Sequence, residues 1–211
     1  YYGFLSNVLA ARGEFDGAEQ AARKAVALQP DDPANLLKLV VILDTRGHTD
    51  EAIRTVSKAL ALQPDYPGAH AMLAALDIRR GDPAAALRNA AKETDPDQKA
   101  YAVALARQAG PDHAAADAAL NAYIDKYGRQ DPPDYGGIAE MYALRKQPDA
   151  MFQWLQRGVA QHDNVTIGNL LPDSLLFPYQ HDPRFAALLQ KVGLPVPGET
   201  PPAASSSTAS P

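Results

Sequence analysis

A stretch of ten residues occurs twice in this chain with few changes. Residues 24–33 read KAVALQPDDP and residues 58–67 read KALALQPDYP, so the second copy begins 34 residues after the first. Two further sets keep the same interval: Gly13, Gly47 and Gly81, and Ala18, Ala52 and Ala86. A fixed period of this length is typical of a solenoid, in which each repeat is one small unit that packs on its neighbours.

Each period is predicted to form two helices. In residues 33–47 the apolar side chains recur at steps of three and four, as they do along one face of a helix. Gly47 is expected to end this helix, because glycine tolerates the left-handed backbone that often follows a helix C-terminus. The second helix is expected to start with Thr49 or Asp50 as its N-cap and to stop at Pro64.

This pattern resembles the tetratricopeptide repeat (TPR), a 34-residue helix–turn–helix unit with the markers W-x2-L-G-x2-Y…A-x3-F…P. The leucine, glycine, alanine and proline markers are present in repeat one, which ends at Asp32, and in repeat two, residues 33–66. Repeat three closes early at Asp95-Pro96, and aliphatic residues replace most of the aromatic markers. The resemblance implies an all-α fold, an α-solenoid of about five TPR-like helix pairs with a C-terminal capping helix.

The later part of the chain departs from the strict period. Two more helix pairs are predicted, one hinged at Gly110-Pro111 and one with a break near Gln147-Pro148. A last helix is expected to begin after Asp182 and to stop at Gly193. The predicted organisation is three TPR repeats over 1–97, two divergent pairs over 98–164, a capping segment over 165–194 and a disordered Pro/Ala/Ser-rich tail over 195–211.

The string DPRFAALLQKVGLP near the end resembles the ending of C-terminal TPR regions in large bacterial signalling proteins. That resemblance implies a bacterial source and an upstream winged-helix or kinase domain. The first residue is Tyr1 and no secretory signal pattern follows it, so we expect the sequence to be a piece of a longer protein or a mature form whose start is missing. A membrane span upstream would place the solenoid in the periplasm; otherwise the cytoplasm is favoured.

Composition excludes several classes of function. The net charge is −5 and acidic and basic residues are interspersed, whereas a nucleic-acid-binding surface normally carries a basic stripe. No apolar run of 18 residues is present, so direct membrane insertion is not expected. The absence of cysteine excludes disulfides, thiolate metal sites and thiol nucleophiles.

No constellation of catalytic residues is found. The histidines are too far apart in sequence to form a local metal motif, and Gly136-Gly137 lacks the spacing of a phosphate-binding loop. His162-Asp163 could imitate a base with its orienting acid, but no nucleophile turn accompanies it. We therefore predict that the chain is not an enzyme and that it uses no cofactor and no metal.

The remaining candidate site is the concave face, which the resemblance places on the first helix of each pair. We expect this face to bind a protein or peptide segment, amphipathic or extended. The alternative is a groove filled in cis, by an upstream domain or by the chain's own tail. The expected partner-binding residues are Phe4, Asn7, Leu37, Lys38, Val41, Asp44, Met72, Ala75, Ile78 and Arg79.

Comparison with the chaperone-binding members of the family excludes one class of partner. Those domains hold a terminal carboxylate in a clamp of Lys, Arg and Asn residues, of which only Asn7 is present here. The chaperone carboxylate clamp is therefore absent. Beside the interaction scaffold, three alternatives stay open: the sensor or regulatory module of a bacterial transcription regulator or kinase, the TPR arm of a larger transferase, and self-association through the divergent pair near Trp154.

Overall fold

The structure, a computed structural model, describes residues 1–198. Within this range the chain forms twelve α-helices, one short 3-10 helix at Phe177–Tyr179 and no strand. The helices are α1 (Tyr2–Ala11), α2 (Phe15–Leu28), α3 (Pro33–Thr45), α4 (Thr49–Leu62), α5 (Ala69–Arg79), α6 (Pro83–Ala90), α7 (Pro96–Ala109), α8 (His113–Tyr127), α9 (Tyr135–Leu144), α10 (Pro148–Ala160), α11 (Asn164–Asn169) and α12 (Pro183–Lys191).

The first ten helices form five pairs, and each pair stacks on the next. The tightest contacts are within pairs, α1 with α2, α3 with α4, α5 with α6 and α9 with α10. Neighbouring pairs contact each other through the second helix of one and the first helix of the next. This arrangement confirms the expected all-α solenoid.

Aspartate followed by proline marks four of the helix starts. Asp32, Asp82, Asp95 and Asp182 are the N-caps of α3, α6, α7 and α12, and each carboxylate accepts a hydrogen bond from a backbone N–H of the first turn. Proline fits the next position because its missing N–H would have no partner there. The prediction that Asp182 caps the last helix is confirmed.

The turns inside the pairs depend on glycine. Gly13, Gly47 and Gly81 have φ angles of 76°, 78° and 79°, in the left-handed region that side chains with a Cβ rarely adopt. The expectation that Thr49 or Asp50 caps α4 is wrong: the N-cap is His48, without a side-chain bond. The turn is too tight for another extended residue, because the His48 N–H already donates to the Leu43 carbonyl at 2.8 Å.

Alanine makes the repeated core. Ala18, Ala52 and Ala86 are each 0% exposed, at equivalent places where the second helix of a pair meets the first. Small side chains let the helix axes approach closely, so a larger residue at these places would force the pair apart. Regular stacking therefore rests on small residues.

The regular pattern ends at Glu93. This residue stands where Ala25 and Ala59 stand in the earlier repeats, yet it is 2% exposed. Its carboxylate accepts hydrogen bonds from the backbone N–H groups of Ala71, Thr94 and Asp95, so the buried charge is fully hydrogen-bonded. The chain leaves the helix here, which explains why α6 is short.

A bulkier core lies at the C-terminal end. Phe152, Leu155, Leu170 and Leu189 are each at most 1% exposed, and they belong to one cluster formed by α9, α10, α12 and the segment before α12. Phe15 of the first pair packs against the same cluster. The end of the chain therefore folds back to the first repeat.

The predicted tail begins at Pro195. Residues 195–198 form no helix or strand, and Val196 packs partly buried against the C-terminal cluster. The rest of the predicted tail, residues 199–211, lies outside the described residues.

Candidate functional site

The concave face is built from the first helix of each pair. Because the repeat is 34 residues long, equivalent positions form rows along this face. One row contains Phe4, Lys38 and Met72, and a second contains Asn7, Val41 and Ala75. These six positions belong to the set predicted from the sequence, so the repeat brings most of that set onto one surface.

The N-terminal half of this face is open. Phe4 is 74% exposed and Val41 is 39% exposed, although both side chains are apolar. Asn7 is exposed and Lys38 is half-buried. Single exposed apolar residues are ordinary on a protein surface, but two on neighbouring first helices of a solenoid form a patch. We call the surface of these four residues the open half of the groove.

Lys38 is positioned by a glycine on the neighbouring helix. A Cβ atom built on Gly3 would lie 3.1 Å from Lys38 Cδ and 2.8 Å from the Asn35 Oδ1 atom. The ammonium nitrogen lies 3.2 Å from the same point, so both the aliphatic part of the lysine and its charged end lie directly over α1.

The C-terminal half of the face is covered by the chain itself. Residues 170–176, called the strap here, pass over it between α11 and the 3-10 helix. Leu170, Leu171 and Leu176 of the strap are 1%, 7% and 3% exposed and belong to the C-terminal core cluster. Buried leucines therefore hold both ends of the strap.

Polar contacts hold the middle of the strap to two first helices. The Thr45 hydroxyl of α3 donates to the Pro172 carbonyl at 2.7 Å. The Ser174 hydroxyl donates to Asp44 Oδ2 at 2.5 Å, and Arg79 Nη1 of α5 donates to the Ser174 carbonyl at 3.0 Å. These bonds occupy polar groups that would otherwise face into the groove.

Asp44 and Arg79 are also paired with each other. The Arg79 Nε atom lies 2.9 Å from Asp44 Oδ1, in an ion-pair contact that lacks hydrogen-bond alignment. Their side chains are 17% and 23% exposed. Both residues were predicted to bind a partner; in the structure they bind the strap.

A cavity of about 360 Å³ remains between the strap and the groove. Its apolar wall includes Val41, Met72 and Ala75, all from the predicted set. Its polar wall includes three carboxyl groups: Asp44, Glu140 of α9 and Asp173 of the strap. The Tyr101 hydroxyl of α7 lies there too and donates to Glu140.

The carboxyl groups of the cavity have altered acidities. Burial raises the pKa of Glu140 well above its ordinary value, and nearby Asp173 raises it further. Burial also raises the pKa of Asp173 to about 6, while the Leu175 N–H and a hydrogen bond with Glu140 act in the opposite direction. The pKa of Asp44 is raised by burial as well, against the effects of Ser174 and Arg79. The cavity therefore favours protonated carboxyl groups.

Two predicted residues lie off the open surface. Leu37 is 9% exposed and packs in the core of the first repeats. Ile78 is half-buried and packs in the clusters that contain Tyr101. The sequence did not point to Tyr101, Glu140 or Asp173, because they belong to divergent pairs and to a segment without periodicity. The available signal was the acid and the hydroxyl in the apolar string LPDSLLF.

Comparisons with known proteins agree with this geometry. Residues 9–76, which include most of the first two pairs and α5, match the family model of the tetratricopeptide repeat. Residues 9–76 therefore contain tetratricopeptide repeats. Proteins with this repeat are generally non-catalytic and typically bind protein partners.

A solved structure resembles the chain in fold. A tetratricopeptide repeat protein from Parabacteroides merdae ATCC 43184 is 14% identical, with a TM-score of 0.57 over 91% of this chain and 76% of the other. The crystal structure of the MamA protein is 21% identical, with a TM-score of 0.49 over 77% of this chain and 90% of the other. No curated protein matches the sequence.

Two further kinds of site were sought in residues 1–198. No cluster of three or more His, Asp or Glu side chains in this range has a geometry that could hold a metal ion. None of the helices described is both long enough and apolar enough to cross a bilayer.

Proposed function

We propose that this TPR protein is an interaction scaffold without catalysis of its own, and that it binds a peptide segment of a partner protein in the open half of its groove. The observation that carries the proposal is the exposed pair Phe4 and Val41 on neighbouring first helices. Apolar side chains in a concave surface gain free energy when a partner removes them from water, at roughly 25 cal/mol per Å².

The charge of the open half defines the partner further. Within residues 1–198, Lys38 forms no ion pair, whereas Asp44 and Arg79 neutralise each other. A segment that places apolar side chains on Phe4 and Val41 and an acidic side chain near Lys38 fits this surface. Such a pattern is typical of an amphipathic helix or an extended strand bound in a groove.

The predicted set then divides into two groups. Phe4, Asn7, Lys38 and Val41 of the open half are proposed to contact the partner directly, together with Met72, which continues the row of Phe4 and Lys38 at the edge of the strap cavity. Asp44, Ala75, Ile78 and Arg79 are proposed to contribute only where the strap leaves room, and Leu37 supports the helix from the core. The cis-filled alternative thus applies to the C-terminal half of the groove.

Site-specific photocrosslinking tests the proposal. A benzophenone amino acid replaces Phe4 on the concave face or, as the control position, Leu28, which is 59% exposed on the second helix α2. In lysate of the source cells, we expect a discrete adduct from position 4 and none from position 28. The adduct should disappear when Lys38→Glu and Met72→Asp are added. Lys38→Glu would repel the acidic side chain of the partner, and Met72→Asp would place a charge against its apolar side chains.

A matched variant tests whether the loss of the adduct is due to the groove substitutions or only to the change in net charge. Lys24→Glu with Leu28→Asp makes the same chemical changes on α2, where both side chains are exposed. This variant should keep the position-4 adduct, and both variants should keep the helical circular dichroism. An adduct of equal yield at positions 4 and 28, or one that survives the groove double variant, would contradict the proposal.

A further inference from the structure

The strap has fixed ends and a polar middle. Leu170, Leu171 and Leu176 are buried in the C-terminal core, where removal from water stabilises their apolar side chains. Residues 172–175 contribute hydrogen bonds to the groove and two apolar residues, the buried Pro172 and the partly buried Leu175. A local opening would therefore lift residues 172–175 while the leucines at both ends stay in place.

The charged groups that face this middle part are unbalanced. Asp173 comes from the strap itself, Asp44 from α3 and Glu140 from α9, and Asp134 lies just before α9. Arg79 of α5 is the cation in this group, and the Tyr101 hydroxyl of α7 completes it. Several carboxyl groups thus face one guanidinium, in a cavity of about 360 Å³.

Glu140 and Asp173 line the same cavity from the two sides of the boundary between groove and strap, and each acts on the pKa of the other through a hydrogen bond. Two carboxyl groups can form such a bond only when one of them carries a proton. If both are ionised, the bond is lost and two like charges face each other in a partly desolvated space. The strap contact therefore depends on a proton.

We infer that residues 172–175 form a proton-linked closure of the C-terminal half of the groove: the strap lies closed while Glu140 and Asp173 share a proton and opens when both are ionised. Opening would expose Asp44, Arg79 and Tyr101 and extend the open half along the concave face. The effect of this extension on partner binding rests on the proposed function, but the closure itself is a property of the free protein.

The direction of the pH dependence follows from the pKa shifts. Carboxyl groups with a raised pKa bind more protons in the closed state than in the open state. Closure is therefore most stable below the ordinary carboxyl range near pH 4 and weakens as the pH rises through about 6, where Asp173 titrates. Arg79 opposes part of this loss, because it favours the ionised form of Asp173.

Amide hydrogen exchange on the free protein measures the closure at single residues. The Leu175 N–H donates to the Asp173 carboxylate and the Leu176 N–H to the Asp173 carbonyl. Protection factors, which correct for the intrinsic pH dependence of exchange, should fall about ten- to a hundredfold at these two amides between pH 5 and pH 8. Amides in α3 and α4 should change less than threefold over the same range.

Glu140→Gln is the decisive variant. The glutamine amide donates to Asp173 permanently and still accepts from Tyr101, so the closed strap should persist and its pH dependence should fall below threefold. Asp173→Asn makes the reciprocal change and serves if the first variant does not fold. Glu51→Gln, on α4 and far from the strap, is the matched control and should keep the wild-type pH dependence.

Three results would overturn the inference. One is wild-type protection at Leu175 and Leu176 that stays flat from pH 5 to pH 8. Another is an equal loss in α3 and α4, which would make the effect global. The third is an unchanged pH dependence in both Glu140→Gln and Asp173→Asn. A failure of photocrosslinking at position 4 would leave the proton linkage standing, so the two proposals are tested separately.

Discussion

The two halves of the groove are built from equivalent positions of the same repeat, yet they differ in how far their side chains are exposed to solvent. Val41 and Ala75 occupy equivalent positions 34 residues apart; Val41 is 39% exposed, whereas Ala75 packs in the cluster that contains Leu175 of the strap. The first helices alone would continue one surface along the whole solenoid. The difference arises because residues 170–176 fold back over one half and leave the other free.

The comparison shows how a repeat protein acquires a site of limited extent. In an open solenoid, the concave surface grows with every repeat that is added. Here the strap ends the surface near the third pair by binding Asp44 and Arg79 internally. The length of the open half, and with it the length of the segment that can bind, is thus set by a part of the chain that has no repeat pattern.

The largest expected effect is the loss of a strap anchor. Leu170 is 1% exposed, and Leu170→Ala should lower the free energy of unfolding by about 2–5 kcal/mol, because it removes buried methyl groups and leaves a cavity. Leu28, 59% exposed on α2, is the matched control, and Leu28→Ala should change the free energy by less than about 0.5 kcal/mol. Urea denaturation followed by circular dichroism measures both. Equal effects of the two variants would mean that the strap ends do not belong to the core.

A smaller effect is expected from the charges of the two halves. Arg79→Ala leaves the partly buried Asp44 without its cation and should cost about 1–3 kcal/mol. Lys38→Ala in the open half should cost less than about 0.5 kcal/mol, since this side chain forms no ion pair within residues 1–198. The same denaturation experiment compares them. If Lys38→Ala proved the more destabilising, the covered half would not be the internally bound one.

The sequence predicts the scaffold far better than it predicts the strap. The period, the alanines and the glycine turns specify neighbouring contacts, which recur and can be read from one repeat to the next. The hydrogen bond between Thr45 and Pro172 joins residues that are far apart in the chain, and the sequence repeat does not predict it. The expected partner residues lie on the first helices of their pairs, but the sequence could not show which of them the chain itself covers.

Which residue caps a helix at a tight turn is also difficult to predict from the sequence. Thr49 and Asp50 have the side chains of typical N-caps, but the backbone bond from His48 to Leu43 closes the turn first. Local propensity indicates which residue types can cap a helix, whereas the length of the turn determines which residue stands at the N-cap. Glu93, which follows α6, is likewise placed by backbone hydrogen bonds, and these bury its carboxylate.

Thiol labelling at equivalent positions tests the division of the groove most directly. The chain has no cysteine, so Val41→Cys and Ala75→Cys each introduce a single reporter. With rates normalised to the urea-unfolded chains, a maleimide should label position 41 at least about ten times faster than position 75, because Val41 is 39% exposed at the edge of the strap cavity, whereas Ala75 packs in the cluster that contains Leu175. Adding Thr45→Val and Ser174→Ala, which removes two strap bonds, should accelerate labelling at position 75 and leave position 41 unchanged. Equal rates at the two positions in the otherwise unaltered chain would contradict the account.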